Sequence, residues 1–179
     1  RVPAHRPRVG AQPMQTIVQI GETRRLHEGV DRSRPVHRRR GELLWYRSGV
    51  MEYEAMIEVA SEARDRAYAP YSGFRMGAAV LTTDKRIVPG SLVENVSLGL
   101  AMCAERVALF AAIAAGERPR ALALVSPRTD GAVTFPCGAC LQVGLELGGP
   151  DMVVIAVSTD GEREQVALGD LLPRGPRKA

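Results

Sequence analysis

The sequence predicts an α/β sandwich in which helices pack on a mixed five-stranded sheet. Two continuous apolar runs of strand length, at 121–125 and 152–157, are the mark of strands covered on both faces. Apolar residues at helical spacing over 52–68 supply an amphipathic helix, and further segments give the order α-β-β-α-β-α-β-β.

In the first helix, Ala55, Met56, Val59, Ala60, Ala63 and Ala67 form one stripe, while Glu52, Glu58, Glu62 and Arg66 lie elsewhere. Pro70 stops it. Residues 76–82 are a short apolar strand, Asp84-Lys85 a turn, and residues 86–93 a second strand broken by Pro89-Gly90. The segment 103–115 predicts a buried helix with Leu109, Phe110, Ala112 and Ile113 packed inward. The apolar strand at 121–125 follows, then a helix at 137–147 and the apolar strand at 152–157. Asp160-Gly161 makes a hairpin-like turn into a last strand at 165–168.

A chain of 179 residues and 19.3 kDa suits one domain with a substantial core. No apolar run approaches the ~18–20 residues of a membrane span, and 45% hydrophobic residues exclude wholesale disorder. Three cysteines cannot all pair, which argues against a secreted disulfide scaffold. The expectation is a soluble, cytoplasmic protein.

The net charge of +4 is unevenly spread. Residues 1–50 hold 11 of the 24 Lys and Arg and 4 of the 20 Asp and Glu, a local charge of +7 against −3 for the remainder. This segment shows no sustained apolar period and is punctuated by Pro3, Pro7, Pro13 and Pro35. Within it, residues 14–20 have strand character without a partner run nearby, and Arg38-Arg39-Arg40 is a basic cluster of the kind that serves nucleic-acid arms. The domain division expected is a basic extension over 1–50, disordered or non-native, ahead of a catalytic domain over 51–179 that opens at Met51.

All three cysteines lie in that second part. Cys137-Gly138-Ala139-Cys140 is a C-x-x-C, and a turn opening a helix lets two such sulfurs converge on one metal. Cys103, at the start of its own helix, can add a third thiolate, and a helix N-terminus favours that negative charge. Buried structural cysteines and a redox pair are the other readings of these residues. A redox motif accounts for neither Cys103-Ala104-Glu105 nor the Pro136 that precedes Cys137. Residues 51–179 contain no histidine to close a four-ligand site, although a carboxylate or a second chain can. Three ligands and an open position are the pattern of catalytic zinc, which brings the pKa of bound water to about 7. Glu105 is then placed to carry protons without binding metal; taken alone, it is also an ordinary residue of a helix's first turn.

Cys103-Ala104-Glu105-Arg106, followed 34 positions after Cys103 by Cys137 within Pro136-Cys137-Gly138-Ala139-Cys140, resembles the small zinc-dependent cytidine deaminases. Ala69-Pro70-Tyr71-Ser72-Gly73-Phe74, Val93-Glu94-Asn95-Val96-Ser97 and Leu171-Leu172-Pro173 extend the resemblance, which covers nearly everything after Met51 and nothing before it. It implies a three-layer α-β-α sandwich. It also implies Zn²⁺ held by Cys103, Cys137 and Cys140, and attack of zinc-activated water on C4 of cytosine, with Glu105 shuttling protons. Arg106 and Pro136 would support the metal site. Phe74, Glu94 and Ala104 would contact the substrate, Phe74 against the ring and Glu94 accepting a ribose hydroxyl. The implied partners are a small nucleoside and other copies of the chain, as a homotetramer in pyrimidine salvage. Neither a membrane nor a nucleic acid is implied, the 51–179 part being acidic and without a basic aromatic groove.

Three positions depart from the family pattern. Leu92 stands where an asparagine helps hold the ribose, Leu98 where an aromatic residue is common, and Pro176 where a phenylalanine reaches a neighbouring subunit's site. All three concern the sugar or the subunit contact rather than the zinc chemistry. Alternative expectations are therefore a deaminase of another aminopyrimidine nucleoside, such as an antibiotic of the blasticidin S type, and a zinc-stabilised binding module without activity.

Overall fold

The computed structural model describes residues 18–19 and 40–177. Most of the expected 1–50 extension, with Arg38 and Arg39 of the basic cluster, lies outside the described residues. Ten regular elements are described besides one 3₁₀ turn: β1 (Val18–Gln19), α1 (Arg40–Asp65), β2 (Gly77–Thr82), β3 (Arg86–Ser91), α2 (Ala104–Ala114), β4 (Pro119–Ser126), α3 (Gly138–Gly148), β5 (Val153–Ser158), β6 (Arg163–Ala167) and α4 (Leu168–Leu171).

From α1 to β6 this is the order predicted. The strands form one mixed sheet, β1-β3-β2-β4-β5-β6, in which only β4 and β5 are parallel neighbours. The five long strands are the sheet expected, and the two-residue β1 extends its edge by pairing with Ile87 and Arg86. Val18 and Gln19 belong to the 14–20 run that has no partner nearby in sequence; the partner is 67 or more residues away, beyond what local patterning reveals. Pro89 and Gly90 do not break β3, which pairs through them with Ala79 and Ala78. Because β1 meets β3 only at Arg86 and Ile87, Pro89 lies along an edge among the described residues, where a missing N–H is tolerated.

Alternation along β2 splits the core. Ala79 and Leu81 join Ile87, Ala123 and Ile155 under Met56 and Ala60 of α1. Ala78 and Val80 join Val88, Leu124 and Val154 under Ala108, Leu109, Leu141 and Leu145 of α2 and α3. The result is the three-layer α-β-α sandwich. Glycines set how closely the layers approach: a Cβ on Gly77 would sit 2.1 Å from Ala60 O, and one on Gly90 2.3 Å from Ala104 O.

Three details differ from expectation. First, α1 runs from Arg40 through Met51 and ends at Asp65, short of residue 68, because Tyr68 turns out to pair with Val93. Second, Glu52 belongs to the buried stripe, one turn before Met56, where Arg120 and Lys85 neutralise it. Third, Phe110 and Ile113 are 46% and 44% exposed. The inward face of α2 is Ala104, Glu105, Ala108, Leu109 and Ala112, and a residue two places past Ala108 falls on the opposite side of a 3.6-residue turn.

Candidate active site

Strands β3 and β4 both run antiparallel to the intervening β2, and the parallel β5 follows β4. The crossovers between them are α2 and α3, so both helices begin beyond the carboxyl ends of parallel strands, on one face of the sheet. Cys103 is the N-cap of α2 and Cys137 the N-cap of α3, both with extended backbone, and neither side chain caps its own helix. Their carbonyls accept the first helical bonds, from Val107 and Leu141. Their thiols are thereby left facing outward from two positive helix ends. Cys140, three residues into α3, stands on the same side as Cys137 and is fully buried.

The three sulfurs lie within 4.8 Å of one another, with 4.0 Å between Cys103 and Cys137 and 3.5 Å between Cys137 and Cys140. A tetrahedron with Zn–S of ~2.3 Å spaces its sulfurs about 3.8 Å apart, so the donor set fits zinc in both chemistry and spacing. Among the described residues no histidine or carboxylate joins the cluster as a fourth ligand. Hydrogen bonding from Cys140 holds the Cys103 thiol at about 5, aided by Arg106, whose Nη2 reaches Cys103 Sγ at 3.7 Å. The same bond, with burial and the Glu105 charge, raises Cys140.

Glu105 is 1% exposed, and its Oε2 has no hydrogen-bond partner. Burial pushes its carboxyl up to about 7, and negative charge on Cys103 adds to the rise. A buried carboxyl with a free oxygen is costly unless a ligand or water uses it. Arg106 Nε is likewise buried without a partner. Pro136 is buried immediately before Cys137 and fixes the backbone entering α3.

The substrate-contact candidates reach this centre by pairings that no local pattern announces. Val93 bridges Tyr68 on one side and Met102 on the other, with Val93 N to Met102 O at 3.0 Å and Met102 N to Val93 O at 2.8 Å. In this antiparallel pairing Leu92 lies opposite Cys103 and Glu94 opposite Ala101, so the segment that carries Glu94 runs alongside the entrance to α2. The Glu94 carboxylate accepts Tyr71 N–H at 2.8 Å, Ser72 N–H at 3.4 Å and the Ser72 hydroxyl, which lower its pKa, the hydroxyl most. Phe74 is half-buried against the core cluster that includes Ala104. Ala104 is fully buried in that core as the first residue of α2. Leu92 packs on the same cluster, its backbone spent on Met76 and Tyr68. Leu98 is 85% exposed on the 3₁₀ turn Leu98–Leu100. Pro176 carbonyl accepts a bond from Gln142 of α3 at 3.0 Å. Ser72 is not among the expected site residues: it lies in the 69–74 stretch of the resemblance, where its link to Glu94, 22 positions on, leaves no local pattern.

Residues 51–156 match the cytidine and deoxycytidylate deaminase zinc-binding region. The chain belongs to that deaminase family. A cytidine deaminase of Halalkalibacterium halodurans is 41% identical over 123 residues, 69% of this chain and 92% of its relative. One from Mycobacterium tuberculosis is 45% identical over 114 residues, 64% of this chain and 81% of the relative. Among solved structures, the cytidine deaminase of Burkholderia pseudomallei superposes with a TM-score of 0.65 at 48% identity, covering 69% of this chain and 98% of that one. The deaminase fold, the zinc-binding region and the cysteine cluster thus agree on a zinc-dependent hydrolytic enzyme.

Proposed function

We propose that this deaminase converts cytidine and 2′-deoxycytidine to the corresponding uridines, consuming one water and releasing one ammonia. The observation that carries the reading is the buried Glu105, its Oε2 free and its carboxyl near 7, next to three sulfurs at zinc spacing. Cys103, Cys137 and Cys140 would hold the ion; zinc bound there supplies the Lewis acidity that makes water nucleophilic at neutral pH.

The remaining chemistry falls to the chain's own side chains. Glu105, balanced near neutrality, accepts a proton from the attacking water, delivers it to N3 and then assists the amine as ammonia leaves. Its burial keeps that proton from bulk solvent. Arg106, whose Nη2 lies 3.7 Å from Cys103 Sγ, offsets the negative charge that three thiolates concentrate around one dication. Pro136 stiffens the approach to Cys137. Phe74 packs against the pyrimidine, Glu94 accepts a sugar hydroxyl, and the Ala104 N–H is available to a ring carbonyl.

The same reading makes the enzyme a cytoplasmic homotetramer of nucleoside salvage. Supporting it, no described helix is long and apolar enough to cross a membrane. The exposed Phe110 and Ile113 of α2 line one apolar surface groove with the half-buried Val143 and Leu147 of α3. Monomers seldom leave such a face open to water.

Ammonia release and the ultraviolet change on mixing with cytidine test the activity directly. Cytidine, 2′-deoxycytidine, 3′-deoxycytidine and a blasticidin-type nucleoside, compared by kcat/KM, decide the sugar. Turnover confined to the antibiotic would overturn the cytidine reading, and none at all would leave a zinc-binding module.

A further inference from the structure

The turn that precedes Phe74 is held by the carboxylate assigned to the sugar, and one side chain makes both connections. Ser72 Oγ donates to Glu94 Oε1 and accepts the Phe74 N–H at 3.0 Å. Ser72 N–H and Tyr71 N–H reach the other oxygen, Oε2, at 3.4 and 2.8 Å. Gly73 follows with φ +69°, its N–H bonded to Ala69 O at 3.2 Å, which closes the turn. An ionised carboxylate offers about four lone-pair sites, and three are occupied here. About one remains for a substrate hydroxyl, in a direction set by the other three.

We propose that Ser72 is a positioning residue that locks Phe74 and Glu94 at a fixed separation, so that base and sugar contacts are presented together. This rests on the assignment of those two residues to the substrate. Without the hydroxyl, Glu94 Oε1 loses its only side-chain partner and Phe74 N–H loses its acceptor, while Tyr71 N–H still tethers Oε2. The carboxylate can then rotate, and binding must supply the order that the free enzyme held beforehand. A serine serving only the stability of the turn would behave differently: its loss would lower the melting temperature and act on turnover and binding without reference to Glu94.

The test uses the full chain with its zinc content measured. Uridine, a product that cannot react further, serves as the calorimetric probe, alongside steady-state kinetics on cytidine. Ser72→Ala is expected to weaken uridine roughly tenfold, the effect of about one hydrogen bond, and to raise KM while kcat stays within about threefold. Ser72→Thr, which keeps the hydroxyl, should bind uridine within about twofold of the unaltered chain. In a Glu94→Gln background, Ser72→Ala should add less than about twofold, because the interaction it removes is already impaired. Wild-type affinity in Ser72→Ala overturns the proposal, as does the same weakening in both backgrounds or a fall in kcat alone. Failure of the unaltered chain to bind uridine or to release ammonia from cytidine overturns the substrate assignment and this proposal with it.

Discussion

Glu105 and Cys137 separate the chemistry from the scaffold most cleanly. Glu105→Gln keeps the shape and burial of the side chain but cannot take a proton. It is expected to retain zinc and melting temperature while losing ~10²–10⁴-fold in kcat, the range for a removed general acid–base; atomic absorption beside an ammonia assay reads both. Cys137→Ala leaves two sulfurs, one on each helix start, and is expected to purify with little or no zinc. Zinc content equal to that of the unaltered chain would displace Cys137 from the ligand set. The identities of these residues were legible in sequence, because C-x-x-C and Cys-Ala-Glu keep their partners within one helical turn. The condition of Glu105 was not. Its free oxygen and its carboxyl near 7 arise from the elements that cover it.

At the scale of elements, the site depends on how tightly α2 lies on β3. A methyl at Gly90 would meet Ala104 O at 2.3 Å and Ala108 N at 2.4 Å, both backbone atoms of the helix that begins at Cys103. Gly90→Ala must push the start of α2 off the sheet. The expected cost is ~1–3 kcal/mol or more of stability, with zinc lost faster to a chelator as Cys103 moves away from Cys137. Thermal melting and the rate of zinc transfer to a chromogenic chelator measure the two. Element order was readable from helical apolar spacing and from continuous apolar runs of strand length. The continuity of β3 through Pro89-Gly90 was not, because breaker residues look alike whether they end a strand or sit on its edge under a close-packed helix. Glu52 makes the same point on α1: a carboxylate reads as solvent-facing, and the partners that let it join the buried stripe, Arg120 and Lys85, are distant in sequence.

At the scale of the whole molecule, two predictions concern what surrounds the catalytic core. Light scattering is expected to return a mass near four times 19.3 kDa, and Phe110→Glu, a charge placed on the exposed α2–α3 face, should shift it toward smaller species. A fully active monomer would refute the tetramer. Removal of residues 1–50 is expected to leave kcat/KM within about twofold and the melting temperature within about 2 °C. Among the residues of α1 whose side chains are described, the buried stripe starts with Glu52 and Met56, and every candidate site residue follows it. That shortened chain also loses β1 and the first turns of α1, so a marked fall in melting temperature would assign those pairings a structural role.

By itself, the sequence determined the α/β order and marked the three cysteines and the candidate acid–base residue, because one helical turn or one strand period suffices to place each within its own element. Tertiary structure decided what these groups experience. The crossovers α2 and α3 bring Cys103 and Cys137 to 4.0 Å although 34 positions separate them. The pairing of Val93 with Tyr68 and Met102 lays the segment before Glu94 along the entrance to α2, and the 71–72 turn then saturates most of the Glu94 carboxylate. Phe110 faces outward for the same reason that Glu105 faces inward: an α-helix buries one face, and only the sheet beneath it determines which. Burial, proton affinity and coupling between contacts are properties of a neighbourhood, and a neighbourhood assembled from distant segments leaves no local trace.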